Sequence, residues 1–417
     1  MDYNKKIKHR WHYKSVQDLR HAFEELNYDI PFSDDLSSLS KPIEVDGKLI
    51  NNRIVYQPME AGDSDPNGSP TERTIKRYTD FARGGPGIIW VEAVAVSQDG
   101  RSNPGQLFIH KDNVDEFKKF VDAMREECLK INKHDTCIII QLTHTGRYSR
   151  PISEPAPVLT YHNKIIEEHY NPEGSIIISD DGLKRFGEAM VEASKLSEMA
   201  GFDGADIKCC HGYLMEELFS AYDRPGLYGG SFENRTRLFI DTVRDAMKCT
   251  SRPFLITSRI NMYDGRPYPW GFGADKTGVP DLTELIKIIE ILEQNEVKML
   301  NLTSGSPFQF NITCPIDNAS EHPLDGVGRM LTLTRTLKER FKDLVVVSSA
   351  YSYLREFSPP AAAGSVAEGI SDFAGYGRLS FAYPNCARDI LNNSFDEKKM
   401  CVCCAGCGYP CKRTGSV

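Results

Sequence analysis

Residues 87–96 read GIIWVEAVAV, an almost unbroken apolar run rich in β-branched side chains. A run of that kind, bounded by Gly-Pro before it and a polar SQDG after it, reads as a strand buried on both faces. Working outward, similar short runs recur along the chain: RIVYQP (53–58), CIIIQL (137–142), GADI (204–207), FLITSRI (254–260), VKMLNL (297–302), LVVVSS (344–349) and GISDFAG (369–375). Helical patterns lie between them. Leu183, Phe186, Met190, Ala193 and Leu196 line one helical face, and Asp281 with Glu284 reads as a capping box ahead of Leu285, Ile288, Ile289 and Leu292. Eight buried strands alternating with helices predict an α/β fold, a (β/α)8 TIM barrel rather than an open doubly wound sheet.

The 417 residues suit one large barrel with additions at its ends. Ser15 can cap a helix with apolar positions Val16, Leu19, Phe23 and Leu26, so residues 1–41 are expected to form an N-terminal helical arm on a barrel spanning 42–395. Residues 396–417 form a Cys-rich tail. No repeat of 20–50 residues is visible. The net charge of −8 offers no basic field for phosphates, which argues against nucleic acid and against anionic membranes as partners. With no apolar run of signal-peptide or membrane-spanning length, the expectation is a soluble, cytoplasmic protein. Twelve cysteines could suggest disulfides, but Cys401, Cys403, Cys404, Cys407 and Cys411 crowd into one short segment, which is ligand spacing and not a staple framework.

In a barrel the chemistry gathers where strands end. Gln57, Met59 and Glu60 follow the first strand; Gln141 and HTGR the third; Lys208, His211 and Tyr213 the fourth; Arg259 and Asn261 end the fifth. Three ionisable or proton-carrying groups within six residues at the end of the GADI strand point to a site. After the eighth strand, GYGR places Gly375, Gly377 and Arg378 where backbone N–H groups and a guanidinium suit a phosphate. The Pro-rich stretch 150–175 follows the third strand without periodicity and is either a lid over the mouth or a surface excursion.

The motifs NRIVYQPM, GGPGIIWVEAVAVSQDGR, QLTHTGR, AGFDGADIKCCHGYL and RPGLYGGSFENRTRLF together resemble the Old Yellow Enzyme family of FMN-dependent NADH:flavin oxidoreductases, in the branch related to 2,4-dienoyl-CoA and enoate reductases. The resemblance runs from about residue 42 to the end and implies a flavin-bearing (β/α)8 barrel. It implies that Pro58 and Met59 pack on the flavin, that Gln141 bonds its pyrimidine end, and that Arg259 stands by N1 and O2, where a cation favours the reduced flavin. Gly377 and Arg378 match the phosphate turn. The seventh strand ends in VVVSSAYSYL where many members carry a glycine pair, so Ser349, with Ala350, is expected to serve the phosphate there. Lys208 and His211 match the pair that holds a substrate carbonyl oxygen, more often His/His or His/Asn, and Tyr213 matches the proton donor. Glu60 stands beside the flavin edge where other members carry smaller groups, and a plain loop carboxylate is an equal reading.

Cys401, Cys404, Cys407 and Cys411 have the spacing of thiolates on a soft metal. In the resembled branch, three close cysteines and a later fourth hold a 4Fe-4S cluster; in this tail either Cys411 or Cys403 would complete the set, and zinc or no metal stays open. The larger dienoyl-CoA reductases add an FAD and NAD(P)H domain after the cluster, absent from this sequence, so electrons are expected directly from NAD(P)H or through the cluster from a donor protein. The function implied is hydride transfer from NAD(P)H through FMN to an activated C=C bond of a small unsaturated substrate. Two rivals are an amine dehydrogenase or demethylase, which would want an aromatic bowl and not Lys208, and a non-catalytic flavin-binding redox protein. The residues name neither the substrate nor the preferred nicotinamide, and oligomeric state is not legible.

Overall fold

The structure is a computed structural model that describes residues 7–9, 11–306, 318–319 and 321–404. Eight parallel strands close into a barrel: β1 (Ile54–Tyr56), β2 (Ile88–Ala95), β3 (Cys137–Thr143), β4 (Gly204–Ile207), β5 (Leu255–Asn261), β6 (Met299–Thr303), β7 (Val345–Ser348) and β8 (Phe373–Tyr376). Each of the eight apolar runs overlaps one of them. Closure is made by β8 on β1, where Gly375 pairs with Val55 and Tyr376 with Tyr56.

Strand alternation separates floor from mouth. Val55, Trp90, Ile139, Leu255, Met299 and Phe373 belong to one inner apolar cluster, whereas their neighbours Ile54, Ile89, Ile138, Ile256, Leu300 and Ala374 join the layer under the helices. Two residues further along the inner face the side chains become polar or vanish: Gln57, Gln141, Thr257, Asn301 and Gly375. The barrel is therefore apolar at the end where its strands begin and polar where they finish. A hairpin of Ile43–Val45 and Lys48–Ile50 closes the apolar end, since Val45 and Ile50 complete the inner cluster. Its turn, Asp46 (φ 48°) and Gly47 (φ 83°), has the left-handed pair that matches strand twist.

Strand β2 carries a bulge. Its pairing with β3 runs Trp90 to Ile139, Val91 to Ile140, then Ala93 to Gln141, leaving Glu92 as the extra residue. Glu92 accepts from Arg77 Nη2 at 2.6 Å and from the Ala61 N–H at 2.9 Å, so the bulge pins the loop that follows β1. Arg77 lies on α1 (Glu72–Arg83), whose N-cap Thr71 makes a reciprocal box with Thr74.

The other barrel helices are α2 (Val114–Asn132), α3 (Asp180–Met199), α4 (Phe232–Cys249), α5 (Thr283–Gln294), α6 (Pro323–Arg340) and α7 (Ser358–Ala367). All five apolar positions expected on α3 are buried. The expected capping box of α5 is not formed. Asp281 accepts from the Thr283 N–H at 2.9 Å, but Glu284 is drawn away by Arg235 of α4, Oε1 to Nη2 2.6 Å, because that guanidinium is buried and needs an anion. At the N-terminal side, a helix Val16–Glu25 capped by Ser15 buries Leu19 and Phe23 against the outer core. Among the described residues no helix is long and apolar enough to cross a membrane.

Candidate active site at the barrel mouth

The inner polar layer is wired before any mouth residue is reached. Asp206, fully buried, accepts from Trp90 Nε1 (2.8 Å), Gln141 Nε2 (2.6 Å) and the Arg259 N–H (2.6 Å). Burial pushes its carboxyl up to about 6 even so. Opposite, Gln57 and Asn301 exchange amide hydrogen bonds (3.1 and 2.7 Å), and Gln57 Nε2 donates to Ser349 Oγ at 2.8 Å. The Ser349 hydroxyl thus serves the barrel interior. A side chain at position 375 would collide with this network, its Cβ falling 2.0 Å from Gln57 Nε2, which explains Gly375.

Above that layer β4 runs into the ionisable cluster. His211 (φ 70°) and Gly212 (φ 74°) both take left-handed backbone, a sharp turn that is costly for a histidine. Glu216 holds it, accepting from the Gly212 N–H and from Asn261 Nδ2, while Ser306 Oγ donates to the His211 carbonyl at 3.0 Å. The turn brings Tyr213 back beneath Lys208, whose Nζ sits 3.6 Å from the ring centroid. His211 Nε2 and Arg259 Nη2 each lie 3.4 Å from Thr303 Oγ1. Lys208, His211, Tyr213, Arg259 and Thr303 are all at least nine-tenths buried.

The electrostatics follow from burial among like charges. Burial, with the Lys208 and Arg259 cations adding to it, holds His211 well below the ordinary imidazole value, so it is neutral at pH 7. Burial also pulls Lys208 down, opposed by Cys210 and Glu60. Tyr213 is pushed well up by burial and by the Glu60 carboxylate, with which its hydroxyl hydrogen-bonds. Glu60 and Glu216 are each pushed by burial up to about 7.

These raised carboxyls have a measurable effect on stability. Between the ordinary carboxyl range near pH 4 and about 7, the folded chain holds protons that the unfolded chain has released, so rising pH favours unfolding through Asp206, Glu60 and Glu216. Glu216→Gln removes one such group. Urea midpoints of apoprotein between pH 5 and 8 should fall less steeply in that variant than in the wild type; an equal slope would show that Glu216 titrates normally.

On the β1, β7 and β8 side, Pro58 and Met59 leave β1 toward the turn after β8. A Cβ at Gly377 would stand 3.0 Å from Met59 Sδ. Arg378 opens the short helix Arg378–Ala382, and Ala350 after β7 adopts φ 80°, the backbone a glycine would take. The bare turn at Gly377, a non-glycine in left-handed backbone opposite it, and the cation Arg378 form a cradle suited to a phosphate. Across the mouth the buried Arg259 Nε has no hydrogen-bond partner among the described residues. An unmet guanidinium N–H on Arg259, the Pro58–Met59 segment and an anion cradle suit the parts of FMN.

The 150–175 excursion is folded onto the mouth. Glu217 receives Arg147 Nε at 2.6 Å and the Thr160 N–H at 2.7 Å, and Asn163 Nδ2 donates to the Trp270 carbonyl at 2.8 Å. Its Val158–Leu159 pairs with Ile176–Ile177, and Tyr170 approaches Tyr148 with ring centroids 5.3 Å apart.

Of the expected tail ligands, Cys401 and Cys404 lie among the described residues. Cys403, in left-handed backbone (φ 54°), turns its thiol inward to the Ser352 carbonyl at 3.3 Å and lies 4.0 Å from Cys401 Sγ, whereas Cys404 is exposed. Cys407 and Cys411 lie outside the described residues, and among those described no three ligating side chains converge. Sequence reasoning also missed Asp206, Asn301, Thr303 and Glu216. The alternation Asn301, Thr303 on an otherwise apolar strand was the available signal for two of them.

A family model described as the NADH:flavin oxidoreductase / NADH oxidase family matches residues 38–396. A metal reductase from Desulforamulus reducens is 24% identical over 384 residues, covering 90% of this chain and 51% of the relative. An NADPH dehydrogenase from Clostridium acetobutylicum is 27% identical over 291 residues, covering 67% and 80%. Among solved structures, a 2-naphthoyl-CoA reductase in complex with 2-naphthoyl-CoA superposes with TM-score 0.74 at 22% identity, over 89% of this chain and 54% of that one. The chain thus spans about half the length of the first of these relatives and of that structure.

Proposed function

Because the chain belongs to the NADH:flavin oxidoreductase / NADH oxidase family, we propose that this enzyme uses NAD(P)H to reduce the activated C=C bond of a conjugated carbonyl compound at the mouth of its barrel. FMN, when bound, supplies the two-electron relay between nicotinamide and substrate. Pro58, Met59, Gln141 and Arg259 would hold its ring system, and Gly377, Arg378 and the backbone at Ser349 and Ala350 its phosphate.

The observation that carries the reading is the β4 turn. It gathers a cation, a neutral imidazole and a phenol in one buried place. Lys208 and His211 can donate to a substrate carbonyl oxygen, drawing electron density from the conjugated bond so that its β carbon accepts hydride. Tyr213 supplies the proton to the neighbouring carbon. An acyl thioester, an enone and an enoate all present the required oxygen. An amine substrate fits less well, since a cationic nitrogen would meet Lys208 and Arg259.

A cluster in the tail is no part of this mechanism, because Cys407 and Cys411 lie outside the described residues. Iron and sulfide analysis of the purified protein decides whether the full tail holds one, and whether an electron-donor protein need be sought.

The test of the function is anaerobic. Protein carrying flavin is mixed with NADH or NADPH and then with 2-cyclohexen-1-one. Loss of the flavin absorbance with the nicotinamide and its return with the enone, yielding cyclohexanone, is the expected result. Flavin that is bleached by an amine and not reoxidised by any enone would replace this reading with amine oxidation. Bound flavin inert to every donor would make the protein a non-catalytic flavin binder.

A further inference from the structure

Glu60 stands in the loop after β1, yet its partners come from two other strands. Asn103 Nδ2 (3.0 Å) and Ser102 Oγ donate to Oε1, and Gln106 Nε2 donates to Oε2 at 3.4 Å, all from the loop after β2. From the segment after β4, the Tyr213 hydroxyl shares a hydrogen bond with the same carboxyl group, and the Lys208 charge acts on it. The remaining charge facing it is Glu92 of β2, which Arg77 and the Ala61 N–H already neutralise. That same Glu92–Ala61 bond fixes the backbone next to Glu60. The carboxyl group is therefore held by the loop donors on one side and by the phenol on the other.

Burial pushes Glu60 up to about 7, against the downward pull of the Ser102 hydrogen bond and the Lys208 cation. Near neutral pH it is present in both protonation forms.

We propose that Glu60 is the proton relay of the site, replenishing Tyr213 each time the phenol gives its proton to substrate carbon. The assignment rests on the reading of Tyr213 as proton donor. In the step, the Tyr213 O–H bond breaks and its proton forms the new C–H bond, while the O–H bond of Glu60 breaks and that proton passes to the phenolate oxygen. Water in the mouth then reprotonates the carboxylate. The substrate gains one hydride, drawn from NAD(P)H, and one proton, drawn from solvent; Tyr213 and Glu60 end unchanged. Lys208, 3.6 Å above the ring, stabilises the phenolate during the exchange.

The experiment uses holoenzyme with 2-cyclohexen-1-one as probe, comparing wild type, Glu60→Gln and Tyr213→Phe. The relay requires protonated Glu60, so the wild-type kcat should fall as pH rises through about 7. Glu60→Gln keeps the shape of the side chain but has no proton to release. Its kcat should fall about 10- to 100-fold with KM little changed, and the limb near pH 7 should vanish. A second readout needs no turnover. The phenolate absorbance assigned to Tyr213 by difference from Tyr213→Phe should appear at lower pH in Glu60→Gln, since the opposing carboxylate is gone.

A Glu60→Gln enzyme that keeps both the rate and the limb, or a wild type with no limb near 7, overturns the relay while leaving C=C reduction standing. A wild type that reduces no conjugated probe overturns the reading of the site and the relay with it. Should Glu60→Gln fail to fold, Glu60→Asp, which keeps a carboxyl group but draws it back from the phenol, replaces it: its kcat should fall with KM little changed, and an unchanged kcat overturns the relay.

Discussion

Tyr213→Phe is expected to lower reduction of a conjugated C=C bond by about 10²- to 10⁴-fold, the usual contribution of a positioned proton donor. The side chain is 4% exposed, and its ring is held by the Lys208 ammonium, so removing only the oxygen leaves the packing intact. Glu60 loses one hydrogen bond but keeps Ser102, Asn103 and Gln106. The fold should therefore survive, and the loss should appear in kcat. Rapid mixing of reduced enzyme with 2-cyclohexen-1-one measures it directly. A variant within threefold of wild type would assign the proton to another group or to water and would remove Tyr213 from the chemistry.

The second large effect is on stability and falls on Asp206. Replacing it with Ala strands three buried donors, the Trp90 indole, the Gln141 amide and the Arg259 N–H, each now bonded at 2.6–2.8 Å. An unmet buried donor costs about 1–3 kcal/mol, and water admitted to the gap recovers part of it. The expected loss is on the order of 4 kcal/mol, together with a lower flavin content on purification because Gln141 and Arg259 lose their orientation. Asp206→Asn keeps one accepting oxygen but points an NH2 at a donor, so it should fall between the two. Urea unfolding of the apoproteins and flavin-to-protein ratios check both. A loss under 1 kcal/mol for the Ala variant would mean that the three donors find other partners.

Much of this was legible before the structure. Strands buried on both faces leave long apolar runs, and all eight runs overlap a barrel strand. The buried face of α3 was readable from its 3.6-residue period. The crowding of Lys208, His211 and Tyr213 was visible because it is local in sequence. What escaped was governed by distant partners. Asp281 and Glu284 had the pattern of a cap, yet Arg235 on another helix took the glutamate. The Asp46–Gly47 hairpin that stoppers the barrel carried a turn signal that only its burial on the inner cluster made meaningful.

The barrel and the residue types at each strand end were readable from the residues alone, because periods of 2 and 3.6 are set by local backbone geometry. The resemblance to Old Yellow Enzymes assigned roles to those residues one at a time. Which residue stands beside which depends on the folded chain. Barrel closure sets β1 next to β2 and β8, and it is packing through space that brings Glu60 to Tyr213 and puts Thr303 between His211 and Arg259. Burial in that shared mouth then sets the protonation of Glu60, Lys208 and His211, a property that no residue has until its neighbours from other strands exclude water around it.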